Sequence, residues 1–434
     1  MQHPNTTSPS GNAASADNRH QTGSDDTGVD AGHNQDHHRG KAERDEWLFA
    51  PDIPIGNNPL FEWPLNARRI LTYYRDYWLT VSEVSIFFVL AVAGWFALRG
   101  VLEGAAVLSA GWVLAVWALN LAVVLVFAGG FHLFFYQLRA QGTDLKYVPQ
   151  FGHRGGSRFT FGSQVRDNMF WSLASGVSVW TGYLVFLLWA HAQGWTPAIT
   201  ATAQPVTFIV VALFTGPWIA FHFYWGHRLL HVGPLYRHVH SLHHRNVNIG
   251  PWSGISMHPV EHVIYFSSML IHLVVPSHPV LIMFHGYMLS LSAIFGHTGF
   301  HEMMIGKRAR VAVGHFHHQL HHRYFECNYG SVDFPLDVWF GTFHDGTPEA
   351  RRRLKSRLGP RWHRRIMSIE ASRTEPQTPA AATPCQSKQP QALMPRCPAC
   401  GQPESIVWVH GHGQCAHCHM TVMPCCDGAV CDPS

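Results

Sequence analysis

The sequence carries little charge. Only 13% of its 434 residues are Asp, Glu, Lys or Arg, about half the fraction of a soluble globular chain, whereas 47% are hydrophobic. This balance argues against a soluble enzyme and against a chain that is disordered throughout. Because a single hydrophobic core stops growing at roughly 250 to 300 residues, we expect more than one region.

The first 46 residues lack Leu, Ile, Phe, Trp and Tyr altogether, and they hold eight acidic and four basic residues. Such a segment cannot bury a core, so we predict a disordered tail over 1–46. The tail also lacks the basic start and apolar stretch of a secretory signal, which favours a cytoplasmic N-terminus. Its His33, His37 and His38 fit a solvated polar tail better than a metal site.

Long runs without a charged residue appear after Trp78. They cover residues 84–98, 104–138, 168–227 and 262–301. A membrane-spanning helix needs about 20 apolar residues, so the first two runs predict one span each and the third predicts two. Lys and Arg residues cluster before the first span, between the second and third, and after the fourth. The positive-inside rule therefore places these segments and both termini in the cytoplasm, at the inner membrane of a bacterium or the endoplasmic reticulum of a eukaryote.

The fourth run is divided at Pro276-Ser277-His278-Pro279, which a helix does not traverse. Its first half is only about 20 Å long as a helix, shorter than the hydrocarbon core of a bilayer. We therefore predict a re-entrant helical hairpin. The predicted fold is an all-α integral membrane protein with about four transmembrane helices, this hairpin and a cytoplasmic cap, in a domain spanning 47–350.

Three regions follow that domain. Residues 351–373 hold nine Lys or Arg and one Glu, which predicts a basic membrane-surface segment, although a solvated cytoplasmic helix explains it equally well. Residues 374–396 are rich in Pro, Gln, Ala and Thr and are predicted to be a linker. Residues 397–434 are rich in cysteine.

Histidine is unusually abundant, with 33 residues against 31 Lys and Arg. Four boxes repeat two spacings: His227 and His231; His240, His243 and His244; His297 and His301; and His318, His321 and His322. On a helix, residues three or four apart share a face, so each box should point its imidazoles at one place. Ten imidazoles are too many for one ion, which favours two metal ions. The other histidines of the apolar runs lack such partners and are expected to be structural: His132, His272, His278 and His285.

The segment from Tyr224-Trp225-Gly226-His227-Arg228 to Asn328-Tyr329-Gly330 and Trp339-Phe340-Gly341-Thr342 resembles the membrane fatty acid hydroxylase and sterol desaturase superfamily. The motifs cover 205–345. The resemblance implies a helical bundle that binds two irons at its cytoplasmic face and receives electrons from cytochrome b5 or a ferredoxin-type donor. The ligands that it implies are His227, His231, His240, His243, His244, His297, His301, His318, His321 and His322.

The resemblance also places His258, Glu261 and His262 beside the ligands, where Glu261 would orient a ligating imidazole. Many relatives have an Asp about two turns before the first box, where this chain has Ala220-Phe221-His222. This difference puts in doubt an acid acting from that position but leaves the implied ligand set intact.

The implied activity is O2-dependent oxidation of an unactivated C–H bond in a membrane lipid, fatty acyl or sterol-like, with hydroxylation preferred. Sterol C5 desaturation is the alternative within the same chemistry. A non-catalytic membrane metal carrier is the alternative of another class, and the fixed box spacings oppose it. The expected partners are a bilayer lipid and a separate electron donor, without nucleic acid. An apolar slot beside the metals should hold the lipid, with candidate lining residues Trp225, Trp252, Phe266 and Tyr329.

All cysteines except Cys327 lie after residue 384. Cys397-Pro-Ala-Cys400 and Cys415-Ala-His-Cys418 have the spacing of a structural zinc site, so we predict a zinc-ribbon-like module. Zinc is preferred to disulfides because thiols stay reduced in the cytoplasm. The sequence also permits a second metal site beside the first, a satellite site formed by Cys425, Cys426 and Cys431 with His417 or His419, but does not decide whether it exists. Cys327 is expected to be a small buried residue.

Overall fold

The structure is a computed structural model that describes residues 47–357, apart from 80, 153–158, 307–308 and 355, together with 397, 400, 402, 405–409, 412–418 and 420–423. The predicted tail 1–46, the linker 374–396 and most of the basic segment 351–373 lie outside the described residues. The cysteines of the satellite site and His419 lie outside them as well.

The described chain is mostly helical. Its long helices are α1 (Ala67–Trp78), α2 (Glu83–Leu102), α3 (Ala110–Gln137), α4 (Gln164–Ala192) and α5 (Pro205–Leu230). Helices α3 and α4 include π-helical turns at Leu125–Gly129, His132–Gln137 and Trp171–Gly176. Shorter helical turns lie at Pro59–Phe61, Gly233–Leu235 and Pro251–Ser253.

The predicted division at the two prolines is present. Helix α7 (Pro259–Phe266) continues as the 3-10 helix Ser267–Leu273, and α8 (Pro279–Gly296) follows, with its first turn capped by the His278 side chain. Helix α8 is long and apolar enough to cross a membrane, as are α2 to α5. The described residues thus hold five candidate spanning helices, where the sequence predicted about four.

Helix α8 is the centre of the helical bundle. In its candidate span, 89% of the residues are buried inside the protein, against 28% for α2, α3 and α5. Gly286 allows α8 to pack directly on the Trp180 indole of α4. Similarly, Gly94 of α2 faces Met283 and Tyr287 of α8. Glycine at these two crossings therefore sets how closely the neighbouring helices approach α8.

Short elements follow the long helices. The π-helix Tyr236–His240 continues directly into α6 (Ser241–His244). After α8, strand β1 (His297–Ile305) pairs antiparallel with β2 (Ala309–Gly314), and α9 (Phe316–Tyr324) and α10 (Leu336–Trp339) complete this region. Near the C-terminus, β3 (Ile406–Val409), β4 (His412–Cys415) and β5 (Thr421–Met423) form a three-stranded antiparallel sheet.

The β1–β2 hairpin corrects the all-α expectation, and it holds the third histidine box. Helix α8 ends at Gly296, and Gly299 then adopts a φ of +79°, a conformation that a right-handed helix does not contain. The Thr298 hydroxyl donates to the Val313 carbonyl at 2.7 Å and so ties β1 to β2. The spacing His297-x-x-x-His301 therefore does not reflect a helix here.

One end of the bundle carries all the histidine boxes. Tyr136, at the end of α3, donates its hydroxyl hydrogen bond to the Thr298 carbonyl at 2.8 Å. Gln164, at the start of α4, donates to the Asn246 side chain at 3.0 Å. Glu83, at the start of α2, lies 3.3 Å from His315. Helices α2 and α4 therefore begin at this end of the bundle, and α3 ends there. Successive helices run in opposite directions, so the chain returns repeatedly to the end that carries the histidines.

A close backbone crossing at Gly254 supports this end. A Cβ at this position would lie 2.7 Å from the Ile294 amide nitrogen of α8, so we expect Gly254→Ala to destabilise the protein by about 1–3 kcal/mol through overpacking. The measurement is the melting temperature of the detergent-solubilised protein. Gly182→Ala in α4 is the control, since a Cβ there meets open space and should leave the melting temperature unchanged or higher. Equal melting temperatures for Gly254→Ala and the unmodified protein would contradict the crossing.

Candidate metal centre

Nine of the ten boxed histidines come together in two groups. The first group comprises His227, His231, His240, His244 and His321. The second group comprises His243, His297, His318 and His322. Within each group, one ring nitrogen of every histidine lies within 4.8 Å of those of the others. Each group therefore has the size of a single metal site.

The two groups are built from shared segments. Neighbouring residues His243 and His244 belong to different groups, and so do His321 and His322. Consecutive residues on a helix point about 100° apart, so each pair directs its two imidazoles to adjacent sites. The segments 240–244 and 318–322 therefore contribute to both sites and fix how far apart the sites lie.

The distances between facing imidazoles match those around a metal ion. In the first group, Nε2 of His227 lies 3.1 Å from that of His240, and Nε2 of His244 lies 3.0 Å from that of His321. In the second group, the three Nε2 atoms of His297, His318 and His322 are 3.1–3.2 Å apart. Two imidazole nitrogens bound to one ion at about 2.1 Å and at right angles are separated by about 3.0 Å.

The hydrogen bonds of the second ring nitrogen, Nδ1, identify the tautomers of three of these imidazoles. Nδ1 of His227, His297 and His321 each lies 2.7 Å from a backbone carbonyl, of Tyr329, Ala293 and Cys327 respectively. A carbonyl oxygen only accepts, so Nδ1 carries the proton, and a neutral ring then presents a lone pair at Nε2. Lone pairs that face one another at about 3 Å repel unless a cation lies between them. The donor set therefore fits two metal ions.

Burial keeps the imidazoles on the short segments neutral. It lowers the pKa of His243 to about 4, and burial is also the main cause that lowers the pKa of the other ligand candidates on the short segments, namely His240, His244, His297, His318, His321 and His322. Metal binding requires the unprotonated nitrogen. At neutral pH the lone pairs are thus available without competition from protons.

His301 lies outside both groups. Its Nδ1 is 3.3 Å from the Tyr147 hydroxyl, and its ring is 5.3 Å from that of Phe49. The ring occupies this place because β1, rather than a helical turn, follows His297. The structure therefore does not bring the two histidines of the third box to one site.

The three residues predicted beside the ligands occupy different places. Oε1 of Glu261 lies 2.8 Å from Nδ1 of His240, and both side chains are buried. His262 contacts the Ser175 hydroxyl at 2.9 Å and the Ile255 carbonyl at 3.1 Å. His258 caps the first turn of α7 by accepting from the Val260 amide. Among these three, Glu261 is the residue that contacts a histidine of the two groups.

The four histidines assigned to the fold have ordinary partners. His272 and His285 are hydrogen-bonded to each other at 3.0 Å, and Ser277 and Ser268 complete this buried chain at 2.6 and 2.9 Å. Likewise, His132 contacts the Gln137 amide at 2.9 Å, and His278 accepts from the Val280 amide at 3.2 Å.

A cavity of about 440 Å³ adjoins both groups. It is lined by histidines of each group, including His227, His240, His243, His297 and His318. It also follows α5 back to Gly216, a distance of about 16 Å from His227 along the helix axis. The volume lies within the usual range for a small-molecule site. A long apolar molecule in this cavity would thus lie beside the histidines.

None of the four aromatic residues predicted to line the slot lies at this cavity. Trp225 is 43% exposed and packs on Phe340. Trp252 and Phe266 belong to the buried core, and the Tyr329 hydroxyl donates to Glu326 at 2.7 Å. Along α5, the residues that line the cavity instead are Gly216, Ile219, Ala220 and Phe223. Gly216 and Ala220 leave space here, and no periodic signal in the sequence separates these four residues from ordinary helix packing.

Other site features had no sequence signal. The carbonyls of Ala293, Cys327 and Tyr329 that orient the imidazoles are backbone atoms. Glu83, His315 and Asp333 also line the cavity, although they are far apart in the sequence. Tertiary packing alone brings these groups together.

The four cysteines of the two CxxC motifs form a third group. Sγ of Cys397 lies 3.8 Å from that of Cys418, and Sγ of Cys400 lies 3.8 Å from that of Cys415, without a disulfide. Four thiolates at about 2.3 Å around a tetrahedral ion are separated by about 3.8 Å. The geometry therefore fits a metal bound by four thiolates.

Comparison with known proteins identifies relatives of the histidine-bearing part. Residues 212–342, which contain both histidine groups, match the family model for fatty acid hydroxylase. A Delta(7)-sterol 5(6)-desaturase of Gibberella zeae is 35% identical over 130 residues, covering 29% of this chain and 39% of the relative. A Delta(7)-sterol-C5(6)-desaturase of Nicotiana tabacum is 27% identical over 169 residues, covering 37% and 60%.

A very-long-chain aldehyde decarbonylase of Arabidopsis thaliana is 32% identical over 150 residues, which are 31% of this chain and 23% of the relative. The chain thus spans less than two thirds of the length of each of these curated relatives. No solved structure matches the chain.

Proposed function

Because the chain belongs to the fatty acid hydroxylase and sterol desaturase superfamily, we propose that it is a membrane-bound di-iron oxidoreductase. It uses O2 to oxidise an unactivated C–H bond of a membrane lipid, and hydroxylation is the preferred reaction. The observation that carries this proposal is the position of two imidazole groups at the wall of one elongated cavity.

The ligand set would comprise five imidazoles for one iron and four for the other. Imidazole suits iron as well as zinc and copper, and the family supports iron. When bound, the irons would supply O2 activation and hydrogen abstraction, chemistry that protein side chains do not perform. The protein's own contribution is to fix the imidazoles and to hold the lipid.

The cavity supports a lipid substrate. Its walls include the apolar side chains of Ile219, Phe223, Leu230, Ile264 and Met288, which exclude water from the reacting chain. On α5 the cavity reaches Gly216, near the middle of a candidate spanning helix. A lipid could therefore enter from the bilayer without passing through water.

The histidine-bearing end would face the cytoplasm. Arg228, Arg237 and Arg245 follow α5 at this end, as the positive-inside rule requires. Helices α7 and α8 would form a re-entrant hairpin, since its two ends adjoin His258 and His297 on the same end of the bundle. The two chain termini would lie on the cytoplasmic side, and a separate donor of cytochrome b5 or ferredoxin type would dock there.

The Cys397, Cys400, Cys415 and Cys418 group would bind zinc. Its tetrahedral sulfur spacing supports a structural ion, and a segment this small rarely folds without one. The roles of His258 and His262 would be structural, because their side chains contact the surrounding backbone and Ser175 rather than ligand rings.

Desaturation is the second candidate reaction. It is favoured by the relatives described as sterol 5(6)-desaturases, which share 35% and 27% identity with this chain. Loss of a second hydrogen from the same substrate carbon chain would give an alkene in place of an alcohol. The metal carrier is disfavoured, because buried imidazoles fixed by backbone carbonyls do not release an ion easily.

Comparative lipid mass spectrometry tests the proposal. A host that expresses the protein is compared with the same host carrying the His318→Ala variant, which lacks one ligand of the second group. Hydroxylation should add the mass of one oxygen atom to a lipid class, and desaturation should remove two hydrogen atoms. An unchanged lipid profile, with zinc or copper filling the histidine groups and no O2 consumption, would instead support the carrier.

A further inference from the structure

The cysteine module contacts the histidine end of the protein. The name covers the described residues from 397 to 423. Nη2 of Arg323 donates to the Cys418 carbonyl at 2.7 Å, although 95 residues separate the two in sequence. Val247 is buried in one apolar cluster with Cys397, Cys415, Cys418 and Met420. The module is therefore packed against the domain that carries the boxes.

The two residues that contact the module, Arg323 and Val247, lie close in sequence to histidines of the two groups. Arg323 directly follows His322 on α9, and Val247 comes three residues after His244. The module thus contacts residues that follow closely after both segments that supply histidines to the two groups. Arg323 is 1% exposed, and the Trp47 ring lies 4.2 Å from its guanidinium carbon. The guanidinium is held between Trp47 and the loop of Cys418.

The contacting loop is itself shaped by the sulfur site. The Cys415 amide donates to the Met420 carbonyl at 2.8 Å, and the Cys397 amide donates to the Gln402 carbonyl at 2.8 Å. These bonds close the two knuckles from which the thiols point inward. Cys418 lies between Cys415 and Met420 in the chain, so the position of its carbonyl depends on how this knuckle is folded.

We infer that the cysteine module is a clamp that holds the two shared histidine segments together, and that Arg323 is the positioning residue that joins it to them. Zinc would keep the module folded, the Cys418 carbonyl would fix Arg323, and α9 would then keep His321 and His322 in place. This inference rests on the proposed histidine metal centre but not on which lipid reaction that centre performs.

Removal of the sulfur site tests the clamp in the full-length protein in detergent. In Cys400→Ser, zinc should fall by one ion per chain, and amide hydrogen exchange should rise in 240–247 and 318–324. Iron loss to a chelator should become roughly tenfold faster. This is the lower end of the range seen when residues that support metal ligands are replaced. Ser405→Ala is the control, since this exposed residue of the module lies outside the cysteine group.

A second variant separates docking from zinc binding. Arg323→Met should keep zinc but raise exchange in 318–324 and speed iron loss, whereas Arg323→Lys, which retains a donor for the Cys418 carbonyl, should restore most of the slow exchange. Arg310→Met is the matched control, because Arg310 is exposed and pairs with Glu302 on the β1–β2 hairpin. Iron, zinc and exchange are all measured without lipid turnover, so failure of the clamp and failure of the lipid chemistry are distinguishable.

Two results would overturn the clamp. One is loss of zinc in Cys400→Ser with unchanged exchange and unchanged iron retention. The other is a purified protein whose cysteine group holds redox-active iron, seen by its thiolate-to-iron absorption, that passes electrons to the histidine centre. In that case the module would be an electron-transfer centre.

Discussion

His321→Ala is expected to abolish product formation while the protein remains in the membrane. Nε2 of His321 faces Nε2 of His244 at 3.0 Å, and its Nδ1 is fixed by the Cys327 carbonyl at 2.7 Å. The substitution removes one imidazole of the first group and leaves the neighbouring His322 in the second. The loss of product formation should exceed the 10- to 100-fold loss that is typical when a residue hydrogen-bonded to a metal ligand is replaced. Product is measured by lipid mass spectrometry and iron by elemental analysis.

His301→Ala is the matched control for this variant. It removes the same side chain from a box residue that lies outside both groups, so iron content should stay close to that of the unmodified protein. Iron rather than product is the readout of this control, because His301 lines the cavity. Full activity in His321→Ala would exclude His321 as an essential ligand. Loss of iron in His301→Ala would show that the third box contributes both of its histidines.

Glu261→Ala is expected to weaken metal binding at the first group by about 10- to 100-fold. Glu261 accepts from Nδ1–H of His240 at 2.8 Å, and both side chains are about 98% buried. Without the carboxyl group, the ring of His240 loses the partner that sets its tautomer and its orientation. Competition with a chelator, followed by elemental analysis of the protein, measures the affinity.

Glu261→Gln separates orientation from charge. The amide oxygen can still accept from His240, so this variant should retain most of the affinity if orientation dominates. If the negative charge dominates, Glu261→Gln should be as weak as Glu261→Ala. Unchanged metal affinity in both variants would contradict a role of Glu261 at the metal centre.

The spacing of the boxes predicted which histidines would converge, because residues three or four apart on a helix share a face. It failed for His301, where the same spacing spans Gly299 with a positive φ and continues as a strand. It also could not show that His243 and His244 serve different groups, since that division depends on where α5, α8 and α9 lie. Such placement is tertiary information.

The membrane helices were predictable for a related reason. Each apolar run is local, and the prolines at 276 and 279 mark the division before α8 regardless of its packing. The cavity was not predictable, because Trp252 and Phe266 fill the core whereas Phe223 and Tyr265 line the space, and the sequence does not distinguish these two kinds of aromatic position. A cavity arises where side chains are small, as at Gly216 and Ala220, and small residues also occur at every close helix crossing.

The division of neighbouring histidines between the two groups has a consequence for metal uptake. Fixing His244 and His321 on a first ion also orders His243 and His322, whose backbones are then already in place. A second ion would then bind at a smaller entropic cost, which is a favourable contribution to the coupling between the two groups and opposes the electrostatic repulsion between the ions. Where this contribution exceeds the repulsion, filling would be steeper with metal concentration than for two independent sites.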